Sequence, residues 1–578
     1  MPLRRAWVLL LAGCLLYLGS PFVSRALDLI DEGRELTHAA FMTQGLWPYR
    51  DFWAVHPPGL YVLLAGLFRL FGPSMVVGRL LFEVTIIGIV FASFWILDEW
   101  TRRRPLALAG ALFVLCWQGW FWPAPAVGQT GQLWLLVALG GLVRAIATQQ
   151  RRWMLLAGAA TVLTLSFRHD FGGQLLAATL LSVAWGAVLR RRRPTAAAFP
   201  PGAAGTYLAG IALTGIPLAT LLIQAVPWRL MARDLIGDLF GYYVQLLPAS
   251  SPPPLADLRA LLAGALHFPT FLLESYTRVV IWYLPLLGVA GSAVWVIRRV
   301  RRGPWDVQDQ QGLCILLTAV ALLPVGLIRG DWGHRIWNVP SFLIMVGLLG
   351  LVLARGSHRA ATAFRLIALV VLALAPLPRL LHPPWAGPVY PLTLERARGI
   401  AVRDARGAQA VEATVRAIQR VTAPGEPIYV ATQFHGRIFA AWEAGLYFLS
   451  DRPAGARYEG MPLFHGEAVQ RTIIEGLEAH AVNLLVLRTW DADELRQAEC
   501  PAIAEALAAA PAAPLLDAYV AQRFAPVQQF GPFTLYRRAE GPPSAARTQG
   551  AVSRSPSASA IRVANPAAVR AFRALTAA

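Results

Sequence analysis

Asp31-Glu32-Gly33-Arg34, Gly45-Leu46-Trp47-Pro48-Tyr49-Arg50-Asp51-Phe52 and His56-Pro57-Pro58-Gly59 follow one another in a single loop after the first apolar block of the chain. Acids, bases and ring-bearing residues are here placed beside lipid. Charge at that depth is costly and calls for a partner or a ligand. The loop therefore favours a membrane-embedded transferase over an inert anchor.

The chain around this loop is too apolar for a soluble protein of its size. Of 578 residues, 56% are hydrophobic and only 15% are charged. The apolar residues come in blocks of about 17–25, the length that crosses a bilayer. The first block, Ala6 to Val23, follows Arg4 and Arg5 and reads as an uncleaved span, because no small-residue cleavage site follows it. Further blocks at 75–97, 105–122, 126–147, 153–168, 171–189, 205–226, 277–297, 312–328, 335–354 and 361–378 bring the expectation to about eleven spans. Residues 60–71 are apolar but too short to cross at about 1.5 Å per residue, and are expected in the interface.

Arginine sets the orientation. Clusters at Arg4–Arg5, Arg102–Arg104, Arg151–Arg152, Arg190–Arg193, 298–302 and 355–359 all fall on the side of the N-terminus. The positive-inside rule makes that side cytoplasmic. It places the 24–74 loop, the 227–276 loop, the 329–334 turn and everything after about 380 outside.

The net charge of +19 comes largely from those arginine clusters and a basic tail. No soluble segment interleaves basic and aromatic residues, so nucleic acid is not an expected partner. The chain has no lysine, and any phosphate contact must come from Arg, His or backbone. Of the four cysteines, Cys14, Cys116 and Cys314 lie in expected spans and Cys500 lies outside, so no disulfide or metal framework is indicated.

After Leu381 the composition changes. An amphipathic helix is expected over 400–420, strands over 427–431, 483–488 and 533–537, a helix or loop over 436–448, and a helix over 470–480. This alternation predicts a small α/β domain over 381–540, followed by a disordered tail rich in Ala, Ser, Pro and Arg over 541–578.

Four sets of residues could carry chemistry. Asp31 and Glu32 suit a general base at the membrane surface, or equally the acidic first turn of a helix. His56 precedes Pro57-Pro58, which can open a short helix whose free N–H groups suit a phosphate; it could also be a loop histidine without a ligand. Arg168-His169-Asp170 forms a turn fit to hold a lipid-linked phosphate, or a solvated hairpin tip. Arg329, Asp331 and His334 have the same character. Tyr49 and Asp51, in the first loop, are further candidates for contact with substrate. All four sets fall on the expected outer face.

Asp31-Glu32, the run Gly45–Asp51, and His56-Pro57-Pro58 followed by an apolar half-helix and Gly72 resemble the first outer loop of the C-type (GT-C) glycosyltransferase superfamily. The resemblance is to its protein O-mannosyltransferase and aminoarabinose transferase group (family 39-like). In that family an acidic residue just after the first span is the proposed base, and Asp31 matches it. A Lys-Pro-Pro element of some members corresponds to His56-Pro57-Pro58, with His for Lys. Arg168 is similar to a basic residue in a later outer loop, and Arg329, Asp331 and His334 resemble a further family pattern.

The resemblance implies a GT-C fold, an α-helical polytopic membrane protein over 1–380 with an appended extracytoplasmic α/β domain. It implies transfer with inversion from a polyprenyl-phosphate sugar donor, on the outer face of a bacterial inner membrane. It names neither the sugar nor the acceptor, which could be lipid, glycan or protein. It requires no cofactor and leaves a divalent metal open. The competing class is a transporter or flippase for a lipid-linked saccharide. Against it, the charges gather at one face, whereas transporter sites lie near the midplane.

Overall fold

The first apolar block stops being helical before its hydropathy ends. In the computed structural model α1 covers Leu3–Leu18, and Gly19 then turns with φ 67° and ψ −141°, a conformation open to glycine. Val23–Ser24 leaves the helix as a short strand, β1. The first helix is thus shorter than the expected 6–23. The structure describes residues 2–19, 22–24, 26–118, 127–237, 286, 288–301, 304–328, 337–355, 362, 387–432, 443–459, 467–489 and 515–539.

The loop that follows is itself helical. α2 (Asp31–Thr43) and α3 (Gly59–Phe71) pack against each other. α3 keeps Leu60, Tyr61, Leu64 and Phe68 inward and leaves Val62, Leu70 and Phe71 exposed. That one-sided pattern suits the interfacial position its length suggests. Next come α4 (Met75–Thr101), α5 (Arg104–Gln118), α6 (Val127–Thr148), α7 (Arg152–Phe167), α8 (His169–Arg192) and α9 (Ala203–Ala225). Residues 288–301 and the helices Val307–Ile328 and Val339–Arg355 follow.

Among the described residues, α4, α6, α8 and α9 are long and apolar enough to cross a membrane. α5 and α7 are apolar but shorter. The expected span 361–378, apart from residue 362, and most of 277–287 lie outside the described residues. One apolar core joins α1 and α4 to α8 with Cys314, Ile315, Leu343 and Ile344. Glycine sets the closest approaches: a Cβ on Gly158 of α7 would lie 2.1 Å from the Tyr207 carbonyl oxygen of α9.

Beyond residue 387 the chain builds two sheets. β2 (Tyr390–Pro391) and β3 (Ala401–Val402) join β1, in the order β1-β3-β2 with β1 parallel to β3. The expected helix starts later than 400 because of β3: it covers Ala405–Val421, and the Asp404 carboxylate accepts from Gly407 N–H at 3.0 Å. β4 (Ile428–Thr432), β5 (Leu484–Arg488), β6 (Phe524–Phe530) and β7 (Phe533–Arg538) form a second sheet, ordered β4-β5-β7-β6. β4 and β5 run parallel and the other pairs antiparallel. β6 was not expected, because Pro526, Gln528 and Gln529 break its apolar alternation and its ladder shifts register between Pro526 and Gln528. The helix expected over 470–480 covers Glu467–Ala479; of the stretch 436–448 expected as helix or loop, 436–442 lies outside the described residues and the rest runs into a short helix, Gly445–Ser450.

A second apolar core crosses the boundary that composition draws near residue 380. It joins Leu36, Phe41, Leu60 and Phe68 of the first loop with Val415, Ile418, Leu446, Phe448 and Val486. Polar contacts sharpen the join. Gly445 N–H donates to the Leu29 carbonyl at 2.9 Å, and the Thr37 hydroxyl donates to the Ala444 carbonyl at 2.7 Å. At this crossing only glycine fits, since a Cβ on Gly33 would lie 2.4 Å from Gly445 N.

The strongest polar tie is buried. Arg79, in the first turns of α4, donates from Nε and Nη2 to both oxygens of Glu32, at 2.7 and 2.8 Å. Both side chains are essentially inaccessible, and Arg79 Nη1 also reaches the Ser24 hydroxyl of β1 at 3.3 Å. Removing one partner of such a pair strands a buried charge, which costs about 3–5 kcal/mol, whereas replacing both with apolar residues is often close to neutral. Arg79→Leu is expected to lower the thermal midpoint of the detergent-solubilised protein sharply, and Glu32→Leu with Arg79→Leu to recover most of the loss. Equal, small effects from both variants would mean that the pair is solvated.

Candidate functional site

α2 presents its charged residues at helical spacing, and the fold gives each a different environment. Asp28 lies just before the helix and takes the free N–H groups of its first turn. Its Oδ1 accepts from Ile30 and Asp31 at 3.0 and 2.9 Å, and its Oδ2 from Glu32 at 3.3 Å. Burial, followed by the nearby Asp31 and Glu32 carboxylates, pushes the Asp28 pKa up to about 7.

Asp31 is the first residue of α2, and its side chain is 60% exposed. Arg34, one turn on, holds it at 3.3 Å and binds Glu35 at 2.7 Å. Glu32, its neighbour in sequence, points the other way into the Arg79 pair. The two acids considered together from sequence are therefore separated by burial: one faces out, one is spent inside.

Below Asp31 the same helix carries Glu35 and His38, both 1% exposed. Burial raises the Glu35 pKa. His38 Nε2 meets Glu459 Oε1 at 2.6 Å, across more than 400 residues of chain. The His38 ring packs on Phe52 and edge-on to Tyr61. Among the described residues Glu35 Oε2, His38 Nδ1, the Tyr61 hydroxyl and Glu459 Oε2 have no hydrogen-bond partner. The described residues contain no cluster of three metal-ligating side chains.

Tyr49 and Asp51 build the loop rather than face outward. Tyr49 is fully buried at φ 68°, and its hydroxyl donates to the His56 carbonyl at 2.6 Å. A bulky residue in that left-handed region is rare and must be held by its surroundings. Burial, followed by Asp234, raises the Tyr49 pKa far above its ordinary value. Asp51 accepts from Trp47 N–H and from Arg50, each at 2.7 Å, closing the turn. Arg457 clamps the same loop, donating to the Tyr49 carbonyl at 2.9 Å and to buried Asp234 at 2.5 Å.

His56 is half-buried ahead of Pro57-Pro58 and the start of α3. That start is pressed on the end of α7, since a Cβ on Gly59 would lie 2.4 Å from the Ser166 carbonyl oxygen. The loop motif and the Arg168 turn, 112 residues apart, are thereby neighbours. Arg168 is the single residue between α7 and α8. It is 7% exposed and forked onto Asp170, Nε to Oδ1 at 2.8 Å and Nη2 to Oδ2 at 2.6 Å. Its guanidinium lies 4.5 Å from the Phe171 ring centre and 4.6 Å from that of Trp337. Among the described residues Nη1 has no partner. The turn is thus a held cation, not a solvated hairpin tip. His169 is half-buried and its Nδ1 has no partner among the described residues. Arg329, Asp331 and His334 lie outside the described residues.

Sequence reasoning passed over Arg79, Asp28, Glu35 and His38. The last two carry a readable signal, their spacing of four and seven residues from Asp31 on a helix. Arg79, Arg457 and Glu459 offered none, because their partners are distant in the chain.

No family model matches the chain, and no curated protein is significantly similar to it in sequence. Solved structures are similar in fold. ArnT from Cupriavidus metallidurans bound to undecaprenyl phosphate superposes with a TM-score of 0.53 at 14% identity, over 93% of this chain and 99% of that one. The same protein in its apo state gives 0.54 at 15% identity, over 93% and 98%. ArnT, an aminoarabinose transferase, is a GT-C glycosyltransferase, and the present chain shares its fold.

The raised pKa of Asp28 makes a stability prediction. Because the folded value of about 7 lies above the ordinary 3.8, the folded state binds this proton more tightly than the unfolded chain does. The stabilisation is complete at low pH and is lost as pH rises from about 4 to about 7. Asp28→Asn is expected to flatten that part of the profile, with a smaller drop in thermal midpoint between pH 5 and pH 8 than wild type. Identical drops would assign Asp28 the behaviour of an exposed carboxylate.

Proposed function

We propose that this chain is an inverting glycosyltransferase of the bacterial inner membrane, moving a sugar from a polyprenyl-phosphate donor to an acceptor on the extracytoplasmic face. The observation that carries the reading is Asp31: an exposed carboxylate at the start of an otherwise sunken helix, in a chain with the fold of a structure solved with undecaprenyl phosphate. The N-terminus is cytoplasmic in this reading. The first loop and the region after residue 387 are extracytoplasmic together, since they share a core and a β-sheet.

The reaction is a single displacement. The acceptor hydroxyl oxygen attacks the anomeric carbon and forms the new glycosidic bond. The bond from that carbon to the phosphate oxygen breaks, and the polyprenyl phosphate leaves with the electron pair. Asp31 takes the acceptor proton. Arg34 keeps the Asp31 carboxylate in place, and Glu32 positions the helix through Arg79. Arg168 neutralises the departing phosphate. Asp170 and the two flanking rings fix the guanidinium, and its Nη1 edge is left for the phosphate. His56 sits beside the α3 N-terminus, whose N–H groups add to the same anion site. A phosphate is a good leaving group, so the displacement requires no general acid.

Asp31→Asn keeps the shape and removes the base. Release of polyprenyl phosphate from a lipid-linked sugar by the reconstituted protein should fall roughly 10²–10⁴-fold, with donor binding little changed. Near-normal turnover would take Asp31 out of the mechanism. Passage of the lipid-linked sugar across vesicles without any new glycosidic bond would favour a flippase instead.

Arg168→Ala removes a charge-assisted contact worth about 1.5–3 kcal/mol, or roughly 10- to 150-fold in donor affinity or rate. Arg168→Lys should recover part of it, because the charge survives and the planar fork does not. Wild-type donor titration curves for Arg168→Ala would move the phosphate site elsewhere.

A further inference from the structure

At the end of the bundle opposite Asp31, α1, α4, α5 and α6 line an open recess of about 820 Å³. α4 separates the two ends: from Arg79 to Arg102 its rise of 1.5 Å per residue amounts to about 35 Å. The recess is lined by Arg102, Arg103, Arg104 and Arg144 against only Asp98 and Glu99, four positive groups against two negative, a net of +2.

The acids hold most of these arginines in place without neutralising the set. Glu99 is 5% exposed and takes Arg102 at 2.5 Å on one oxygen and Arg144 on the other. Asp98 lies 3.7 Å from Arg104. Among the described residues the Arg103 guanidinium forms no ion pair. Arg102, Arg104 and Arg144 keep solvent access but are not independent of one another. Here a buried carboxylate orients two of them from different helices.

Arg102 closes α4 at φ 55° and ψ 26°, the left-handed conformation that favours glycine. A side chain there costs of order 1 kcal/mol. Gln149, Asp451 and Ala481 take a similar positive φ just past other helices, so the use of this geometry here is practical: Arg102→Gly removes the guanidinium without straining the backbone.

We propose that this recess binds a phosphate group on the face of the membrane opposite the transfer site. Guanidinium forks match phosphate oxygens, and no lysine is present to share the role. The surroundings point to an anionic phospholipid headgroup. Leu3 and Leu106 line the recess, and Leu9, Leu11, Leu15 and Leu16 leave apolar surface of α1 exposed, so the arginines lie at the end of apolar helices where a lipid headgroup would sit. A free phosphate would use the same arginines.

The test uses the full-length protein in neutral detergent, titrated by native mass spectrometry with phosphatidylglycerol, phosphatidylcholine or inorganic phosphate. Wild type should retain phosphatidylglycerol in preference to phosphatidylcholine. Arg102→Gly suits the left-handed backbone, so its thermal midpoint should hold or rise without lipid while phosphatidylglycerol binding weakens about 10-fold, as for one lost charge-assisted contact. Arg103→Gln, which touches no ion pair, should weaken binding comparably. Displacement of the lipid by millimolar phosphate would make free phosphate a ligand of the same site; no displacement would leave the lipid headgroup as the ligand. Wild-type phosphatidylglycerol binding in both variants, or no preference over phosphatidylcholine in wild type, overturns the proposal. Sugar transfer at the opposite face is not part of this readout, so failure here and failure of the transferase reading are separable.

Discussion

The Glu32–Arg79 pair holds three parts of the chain at one point. It joins the first turn of α2 to the start of α4, and through Ser24 it reaches β1, whose ladder continues into β3. Bundle, outer loop and C-terminal region therefore meet on a buried charge pair. In low dielectric such a pair tolerates little displacement, because a small shift leaves desolvated charge uncompensated. The direction of α2, and with it the outward aim of Asp31, follows from that constraint.

A second set of contacts works from the C-terminal side. Gly33 and Gly445 bring two backbones to a distance no Cβ would allow. Thr37, His38 and Tyr49 are then met by Ala444, Glu459 and Arg457. The first loop is thus built jointly by segments more than 400 residues apart. This accounts for Tyr49 at positive φ: the Arg457 contact and the His56 carbonyl hold it from both ends. It also means that the region after residue 387 belongs to the architecture of the candidate site, whatever further role it has toward an acceptor.

The two ends of the bundle treat arginine differently. Arg168 is sunk between two rings and forked onto one carboxylate, and among the described residues its Nη1 has no hydrogen-bond partner. Arg102, Arg103 and Arg104 are exposed around a wide recess and share two acids with Arg144. The first arrangement presents one fixed donor edge, as a reacting phosphate needs. The second presents a broad positive field to a group that need not be held in one pose.

Much was legible in the chain itself. Hydropathy blocks located the long helices, because a span must bury some twenty apolar residues whatever its neighbours. Asp31, followed by His56-Pro57-Pro58 and an apolar half-helix, marked the loop, because local motifs carry their own backbone chemistry. The strands β4, β5 and β7 were visible within a residue or two, and β6 was hidden by its proline and glutamines. Sequence could not separate Asp31 from Glu32. They are adjacent and chemically alike, and only the 100° turn between neighbours on a helix sends one toward solvent and the other toward Arg79. Nor could it pair His38 with Glu459 or bring Gly59, just after His56-Pro57-Pro58, against Ser166, since those contacts exist only once distant segments pack. The sequence by itself determined the long apolar blocks and the kinds of groups available; tertiary packing decided which groups were buried and paired and which stayed exposed, because burial and ion pairing depend on neighbours that chain order does not reveal.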